Sequence, residues 1–308
     1  MASTLLQLVQ SAAGEMGLAV PTSVISNTNQ DVVQLLYLTN AVGLELAREQ
    51  QWQRMTKEYR FTTTYYTYTG TTTNGSTTLS ALSSTTGLTT TPTYFMVSGT
   101  GINNDTYLVS VDAGASTAVM SQAATATGTL VSLTFGQTMY ALPSDYDRQI
   151  DRTHFDKSKR WEMLGPETAQ QWQWLKSSYI STGPRIRYRL LGGLFQIWPL
   201  IGSNEYLGFE YLATSWVLAA ADSVTPTKAS FTVDTDTCIF HDRLMVLGLK
   251  KKYFEQKGFD TTAFYRDYAS ELSKAKAMEA GDATLSMAPR LSTVLIGWEN
   301  IPDSNYGS

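Results

Sequence analysis

The chain has 308 residues, 43% of them hydrophobic, and a formal net charge of −4, so it can build a substantial apolar core. The acidic balance excludes a protein that coats nucleic acid, because phosphate binding requires a basic face. A single cysteine, Cys238, excludes an internal disulfide. The N-terminal segment lacks the basic region of a signal peptide, so we expect a protein made in a cytoplasm.

Two amphipathic helices are predicted in the N-terminal part of the chain. Ser3 or Thr4 caps the first helix, which runs to about Met16. Asn29 starts the second, which carries apolar residues at helical spacing to about Trp52. The short connection between the two predicts an αα-hairpin.

A threonine-rich segment follows, and it contains no Lys, Arg or Glu between Phe61 and Ala141. β-Branched and aromatic runs separated by Gly and Asn turn signals predict short strands. The predicted strands span residues 59–68, 77–82, 94–98, 106–111 and 129–135. Strands at this spacing favour a small antiparallel sandwich or barrel, and a low-complexity linker is the alternative.

The second half of the chain alternates between helical and strand patterns. Pro166 and Glu167 predict the first turn of a helix that continues to about Lys176. Strands are then predicted at 185–190, 194–198 and 205–213, and their short connections predict a three-stranded meander.

Two further helices are predicted before the C-terminal segment. The first spans about 239–257, and Gly258 followed by Phe259 predicts a Schellman stop. Asp260 caps the second, which continues to about Ala280. The last 27 residues show no helical or strand periodicity.

These patterns predict an α+β protein that consists of a helical bundle platform, a small antiparallel meander, an inserted all-β module and an extended C-terminal tail. The platform core is predicted at residues 1–58 and 142–281, the threonine-rich module at 59–141 and the tail at 282–308.

Residue types that support catalysis are sparse, so we predict no enzyme, metal or cofactor. Cys238 and His241 lie three apart, but a metal site requires three or four ligands and no second His/Cys cluster exists. His154 and Asp156 could form half of a hydrolytic site, yet no serine has a nucleophile-elbow context.

Two other features favour protein–protein contacts. Arginines alternate along the predicted strand at 185–190, which places them on one face that is either solvated or a subunit interface. These candidates are Arg185, Arg187 and Arg189. The tail is apolar where an exposed tail is expected to be polar, which predicts docking on a partner or, alternatively, on its own domain. Its candidate contact residues are Leu291, Val294, Leu295, Ile296, Trp298 and Ile301.

The order of these parts resembles the head-to-tail adaptors of short-tailed bacteriophages, also called connector or tail-tubular proteins. The likeness is carried by three segments: the opening helix pair that closes on Gln51-Trp52-Gln53, the stretch RIRYRLLGGLFQIWPLIGSNEYLGFEYL, and the closing pair DRLMVLGLKKKYFEQKGFDTTAFYRDYASELSKAKA with the tail that follows. Together they cover about two thirds of the chain.

The resemblance implies a virion protein without catalysis that forms a ring of about twelve identical subunits around a DNA channel. It implies that the C-terminal tail inserts into the portal ring and that a tail or nozzle protein binds on the other side. Double-stranded DNA would pass through the lumen without specific binding, in keeping with the acidic balance. The segment 61–141 departs from the compact members of the family.

Two alternatives from other classes stay open. A virion adhesin would bind glycans through the threonine-rich module, with Tyr65, Tyr66 and Tyr68 as its surface aromatics. A hydrolase is the enzymatic alternative, and the shortage of His and paired acids argues against it.

Overall fold

The computed structural model describes residues 3–90, 95–177, 185–220 and 224–280. The helices in these ranges are α1 (Leu5–Met16), α2 (Gln30–Glu49), α3 (Ala169–Lys176), α4 (Asp242–Gln256) and α5 (Thr262–Ala280), with a 3-10 turn at Gln53–Met55. The strands are β1 (Thr56–Thr62), β2 (Tyr65–Thr72), β3 (Thr78–Leu79), β4 (Phe95–Gly99), β5 (Leu108–Asp112), β6 (Thr117–Met120), β7 (Gly128–Gln137), β8 (Met139–Ala141), β9 (Tyr146–Gln149), β10 (Phe155–Asp156), β11 (Trp161–Glu162), β12 (Arg187–Leu191), β13 (Leu194–Trp198), β14 (Tyr206–Ala213), β15 (Val217–Leu218) and β16 (Thr237–Cys238). The α+β prediction is confirmed.

The ends of the long helices follow the local sequence. Thr4 caps α1 with a capping box in which Gln7 is the reciprocal partner. Asn29 caps α2 by accepting from the Asp31 N–H. Helix α4 ends in the predicted Schellman turn, where the N–H groups of Gly258 and Phe259 donate back into its last turn.

Helix α4 is the centre of the helical platform, because it packs against α1, α2 and α5. The consecutive helices α1 and α2 contact each other less than either contacts α4, so the predicted αα-hairpin is wrong as a packing unit. Two glycines permit close approach: Gly43 of α2 lies under the ring of Trp216, and Gly248 of α4 lies against Val42. Packing against α4, rather than the connection between α1 and α2, therefore determines how these two helices are arranged.

Two sheets pack face to face beside the helices and share one aromatic core. One has the order β1-β14-β10-β11, with β9 also paired to β14, and the other has the order β12-β13-β8. The third strand of the predicted meander, β14, thus belongs to the opposite sheet, and β8 takes its place beside β13. The shared core contains Tyr188, Phe195, Phe209 and Tyr211.

The predicted strand at 59–68 is two strands in two different sheets. β1 pairs with β14 in the platform, whereas β2 pairs with β7 in the threonine-rich module. The chain crosses between them at Thr63 and Thr64, and the Gln137 N–H donates to the Thr64 carbonyl at 2.9 Å where the chain returns. Both strands are rich in aromatic and β-branched residues and only Thr63 and Thr64 separate them, so strand propensity runs on without a turn signal, although the charged residues of β1 are absent from β2.

The module consists of two three-stranded antiparallel sheets, β2-β7-β4 and β3-β6-β5, around a separate apolar core. Their edges meet only at single bridges, Thr71 with Ser80 and Met96 with Tyr107. Within the described residues the module is therefore a sandwich and no closed barrel is present.

The module contacts the platform through a small apolar cluster of Met96, Trp172, Leu175 and Trp198. Beside this cluster, Lys176 Nζ lies 2.9 Å from Asp105 Oδ1. Helix α3 carries two of the four residues, and it begins after the Thr168 cap rather than at Pro166 as predicted. The Thr168–Gln171 capping box sets this start.

Candidate interaction surfaces

The alternating arginine strand lies in the platform as the sequence predicts. Ile186 and Tyr188 are buried in the aromatic core, while Arg185, Arg187 and Arg189 are half-buried on the other side. Their predicted role at a subunit interface stays a prediction.

One of the three arginines is already paired within its own chain. Arg187 Nη1 lies 2.6 Å from Glu167 Oε1, and that carboxylate is only 8% exposed. Arg185 and Arg189 form no ion pair within the ranges that the structure describes. They are therefore the two of these three guanidinium groups that the predicted subunit interface would use. The Arg187–Glu167 pair went unpredicted because the two residues meet only through tertiary packing.

The tail candidates Leu291, Val294, Leu295, Ile296, Trp298 and Ile301 lie outside the described residues. Their docking role therefore stays a prediction.

His154 is a buried core residue, not part of a hydrolytic pair with Asp156. Its ring stacks on Tyr188 at a centroid distance of 4.0 Å and on Phe209 at 4.8 Å. Neither ring nitrogen has a hydrogen-bond partner. Desolvation by burial lowers the pKa of His154 from 6.5 to about 4, so the ring is neutral near pH 7.

The Asp156 carboxylate performs a different, structural task. It accepts hydrogen bonds from the backbone N–H groups of Ser158 and Lys159 at 3.0 and 3.1 Å. This arrangement holds the turn between β10 and β11, and it leaves the His154 ring among aromatic side chains.

His154 makes the stability of the protein depend on pH. Below pH 6.5 the unfolded chain binds a proton at this residue, whereas the folded chain resists it until about pH 4. Stability is therefore expected to fall as pH drops from about 6.5 to about 4, by up to roughly 3 kcal/mol from this residue. His154→Leu is expected to flatten this part of the curve in urea unfolding at a series of pH values.

His241 supplies the matched control for that measurement, because its side chain is 67% exposed and His241→Leu removes a histidine without changing the aromatic core. A His154→Leu protein with the wild-type slope would contradict the assignment.

Cys238 and His241 both line one groove, but they face different environments and are not arranged as a metal site within the described residues. Cys238 is buried, and its thiol donates weakly to the Phe240 carbonyl at 3.6 Å, while burial raises its pKa to about 12. The His241 ring lies at the surface, 3.8 Å from a Glu271 carboxylate oxygen. Across the described ranges, no group of three or more His, Cys, Asp and Glu residues is arranged to hold a metal ion.

Of the three module tyrosines considered for glycan binding, Tyr65 is half-buried, and Tyr66 and Tyr68 are engaged within the module. Tyr66 and Tyr68 stack on each other at 5.9 Å and pack against the module core. The Tyr68 hydroxyl also donates to the Thr86 carbonyl at 2.7 Å. These contacts give both rings a structural role in the module, and glycan binding stays a prediction.

A groove at the C-terminal end of α5 is the surface that sequence reasoning missed. It has a volume of about 510 Å³. We call it the α5 groove; its apolar lining includes Trp52, Phe240, Leu244, Ala275 and Met278, and its charged lining consists of Arg54, Asp242, Glu271, Lys274 and Glu279, beside His241. Met278 continues the apolar stripe of Tyr268, Leu272 and Ala275, yet it is 84% exposed. An apolar side chain that is exposed at the end of a packed stripe indicates that this part of the stripe has no packing partner among the described residues.

None of the described helices has the length and apolar character needed to span a bilayer.

Comparisons with known proteins give the chain its family. No curated protein matches the chain. The family described as SU10 adaptor protein matches residues 104–291, which is more than half of the chain and extends from within the module to beyond α5. The chain therefore belongs to the SU10 adaptor protein family, whose members are structural phage adaptor proteins of the virion rather than enzymes.

Proposed function

We propose that this protein is a head-to-tail adaptor of a short-tailed bacteriophage. It forms a ring beneath the portal, joins the DNA-filled head to the tail and continues the DNA channel. The observation that carries the proposal is the family match over residues 104–291. The engaged tyrosines of the module favour no second function.

Ring formation requires each subunit to offer two different surfaces, because a closed ring uses head-to-tail contacts between copies. Arg185 and Arg189 supply charge for one contact. On α2, Tyr37 and Leu44 are 71% and 44% exposed and lie seven residues apart, so they share one face of the helix. Buried in a neighbouring subunit, these side chains would contribute apolar contact area.

The proposed assignment of domains gives the ring-forming role to the platform, predicted at residues 1–58 and 142–281 and extended by β1 and β8, which pair within its sheets. The module, predicted at 59–141 and spanning 65–136 between those strands, projects from it, and the tail at 282–308 inserts into the portal. The separate apolar core of the module supports this division, whereas the cluster around Met96 and Trp198 joins the two parts.

Removal of the module tests this division. Because the Thr64 carbonyl and the Gln137 N–H are hydrogen-bonded, a short Gly-Ser linker can replace residues 65–136 without displacing the strands on either side. We expect the platform to remain folded with cooperative unfolding, at a stability cost of about 2–5 kcal/mol from the lost Met96 contacts. Circular dichroism and urea unfolding measure this. An unfolded platform would show that the module belongs to the core.

The mass of the purified assembly tests the proposed function. About twelve copies of the 34.0 kDa chain give a ring of roughly 410 kDa. Light scattering after size-exclusion chromatography is expected to report such a particle, alone or on addition of portal. A trimer would favour an adhesin, and a small oligomer that does not respond to portal would argue against an adaptor ring.

A further inference from the structure

The α5 groove is an apolar surface that the described part of the chain leaves open. Its walls come from the segment around Trp52 and from the last two turns of α5, and Phe240 and Leu244 lie between them. The apolar residues on one face of a helix normally extend only as far as other parts of the protein pack against that face. On α5 the stripe reaches Met278, one turn past the core that covers Tyr268 and Leu272.

The chain leaves the described structure at the rim of this groove. Glu279 in the last turn of α5 holds the turn after α2: the Gln53 N–H donates to Glu279 Oε1 at 2.5 Å, and Gln53 Nε2 donates to the Glu279 carbonyl at 3.0 Å. These two bonds fix the position from which residues 281–308 start. The 18 residues from Ala280 to Trp298 reach up to about 60 Å, far more than a return to the groove requires.

The chemistry of the tail matches the groove. Residues 291–301 carry the apolar side chains of the tail, including Trp298, a large flat side chain suited to an apolar cleft. Glu299 follows Trp298 directly, and Arg54, which lines the groove together with Lys274 and the acids Asp242, Glu271 and Glu279, has no ion-pair partner among the described residues. An occupant with an aromatic residue beside a carboxylate therefore satisfies both the apolar wall and the free guanidinium.

We propose that, in the free subunit, residues 291–301 of the tail lie in the α5 groove of their own chain. The groove shields the apolar tail from water before assembly. The tail leaves it when the portal offers a larger contact, a second step that rests on the proposed function. The contact within the subunit needs no portal and is tested without one.

Trypsin tests this in the full-length protein, because Arg290 is the only Lys or Arg between residues 281 and 308. Cleavage there releases the peptide 291–308, and mass spectrometry measures the amount of this peptide over time. Met278→Glu places a carboxylate in the groove, and Ala277→Glu places the same group on the opposite face of α5 as the matched control. Trp298→Ser is a second variant, and it leaves every described residue unchanged.

In the wild-type protein and in Ala277→Glu we expect slow release at a rate independent of protein concentration. In Met278→Glu and Trp298→Ser we expect release to be faster by roughly tenfold, because cleavage follows the population of undocked tail. Equal rates in all four proteins would overturn the proposal. Protection that grows with protein concentration would also overturn it, since the groove would then hold the tail of a second copy.

Discussion

Truncation before Leu291 is expected to abolish attachment of the protein to the portal while the subunit stays folded. Among the described residues the platform core ends at Ala275, so we expect the subunit to fold without the tail. Ordering a tail segment costs about 1–2 kcal/mol per residue of backbone entropy, which only substantial apolar burial on a partner offsets. Co-sedimentation of the truncated protein with portal rings measures the loss, and circular dichroism checks the fold.

Trp298 is expected to dominate that contact, because large aromatic side chains in pockets carry much of an interface's energy. Trp298→Ala should weaken attachment by a few kcal/mol per subunit at most, with an effect multiplied over the ring. Asn305→Ala, a polar position in the same tail, is the matched control and should attach normally. Normal joining by the truncated protein would show that the tail is not the portal contact.

Gly43→Ala is expected to destabilise the platform strongly, although alanine favours helices over glycine by about 1 kcal/mol. A Cβ at Gly43 would overlap the ring of Trp216, which is completely buried against Phe231 and Phe240. Overpacking of this kind typically costs about 1–3 kcal/mol and occasionally more. We expect a net loss of at least about 2 kcal/mol in the free energy of unfolding.

Gly14 in α1 provides the matched control for that substitution. Apart from the backbone of α1 itself and the two neighbouring residues, no atom of the described residues lies within 4 Å of the position that its Cβ would take. Gly14→Ala should therefore stabilise the protein by up to about 1 kcal/mol. If urea unfolding gave Gly43→Ala the same midpoint as Gly14→Ala, the close packing of α2 on Trp216 would be wrong.

Local signals predicted the parts of the fold that local chemistry decides. The Thr4 and Asn29 caps and the Gly258 stop each depend on a few neighbouring residues, and all three are found as expected. The burial of Ile186 and Tyr188 likewise follows from period-two alternation.

What the sequence could not predict depends on partners distant in the chain. The placement of α4 between α1 and α2 separates two helices that are neighbours in sequence. The crossing from β1 to β2 has no turn signal, because Thr63 and Thr64 continue the strand propensity of both strands and only their distant partners β14 and β7 separate them. The α5 groove depends on how Trp52 and Met278 lie relative to each other, and these residues are 226 positions apart.

The joining of heads to tails in a purified system tests the adaptor proposal most directly. Filled heads made without this protein are mixed with isolated tails, with and without the purified protein, and joined particles are counted by electron microscopy. We predict joined particles only when the protein is present, with a ring of it between the portal and the tail. Heads and tails that join equally well without it, or protein located elsewhere on the particle, would contradict its role as the head-to-tail adaptor.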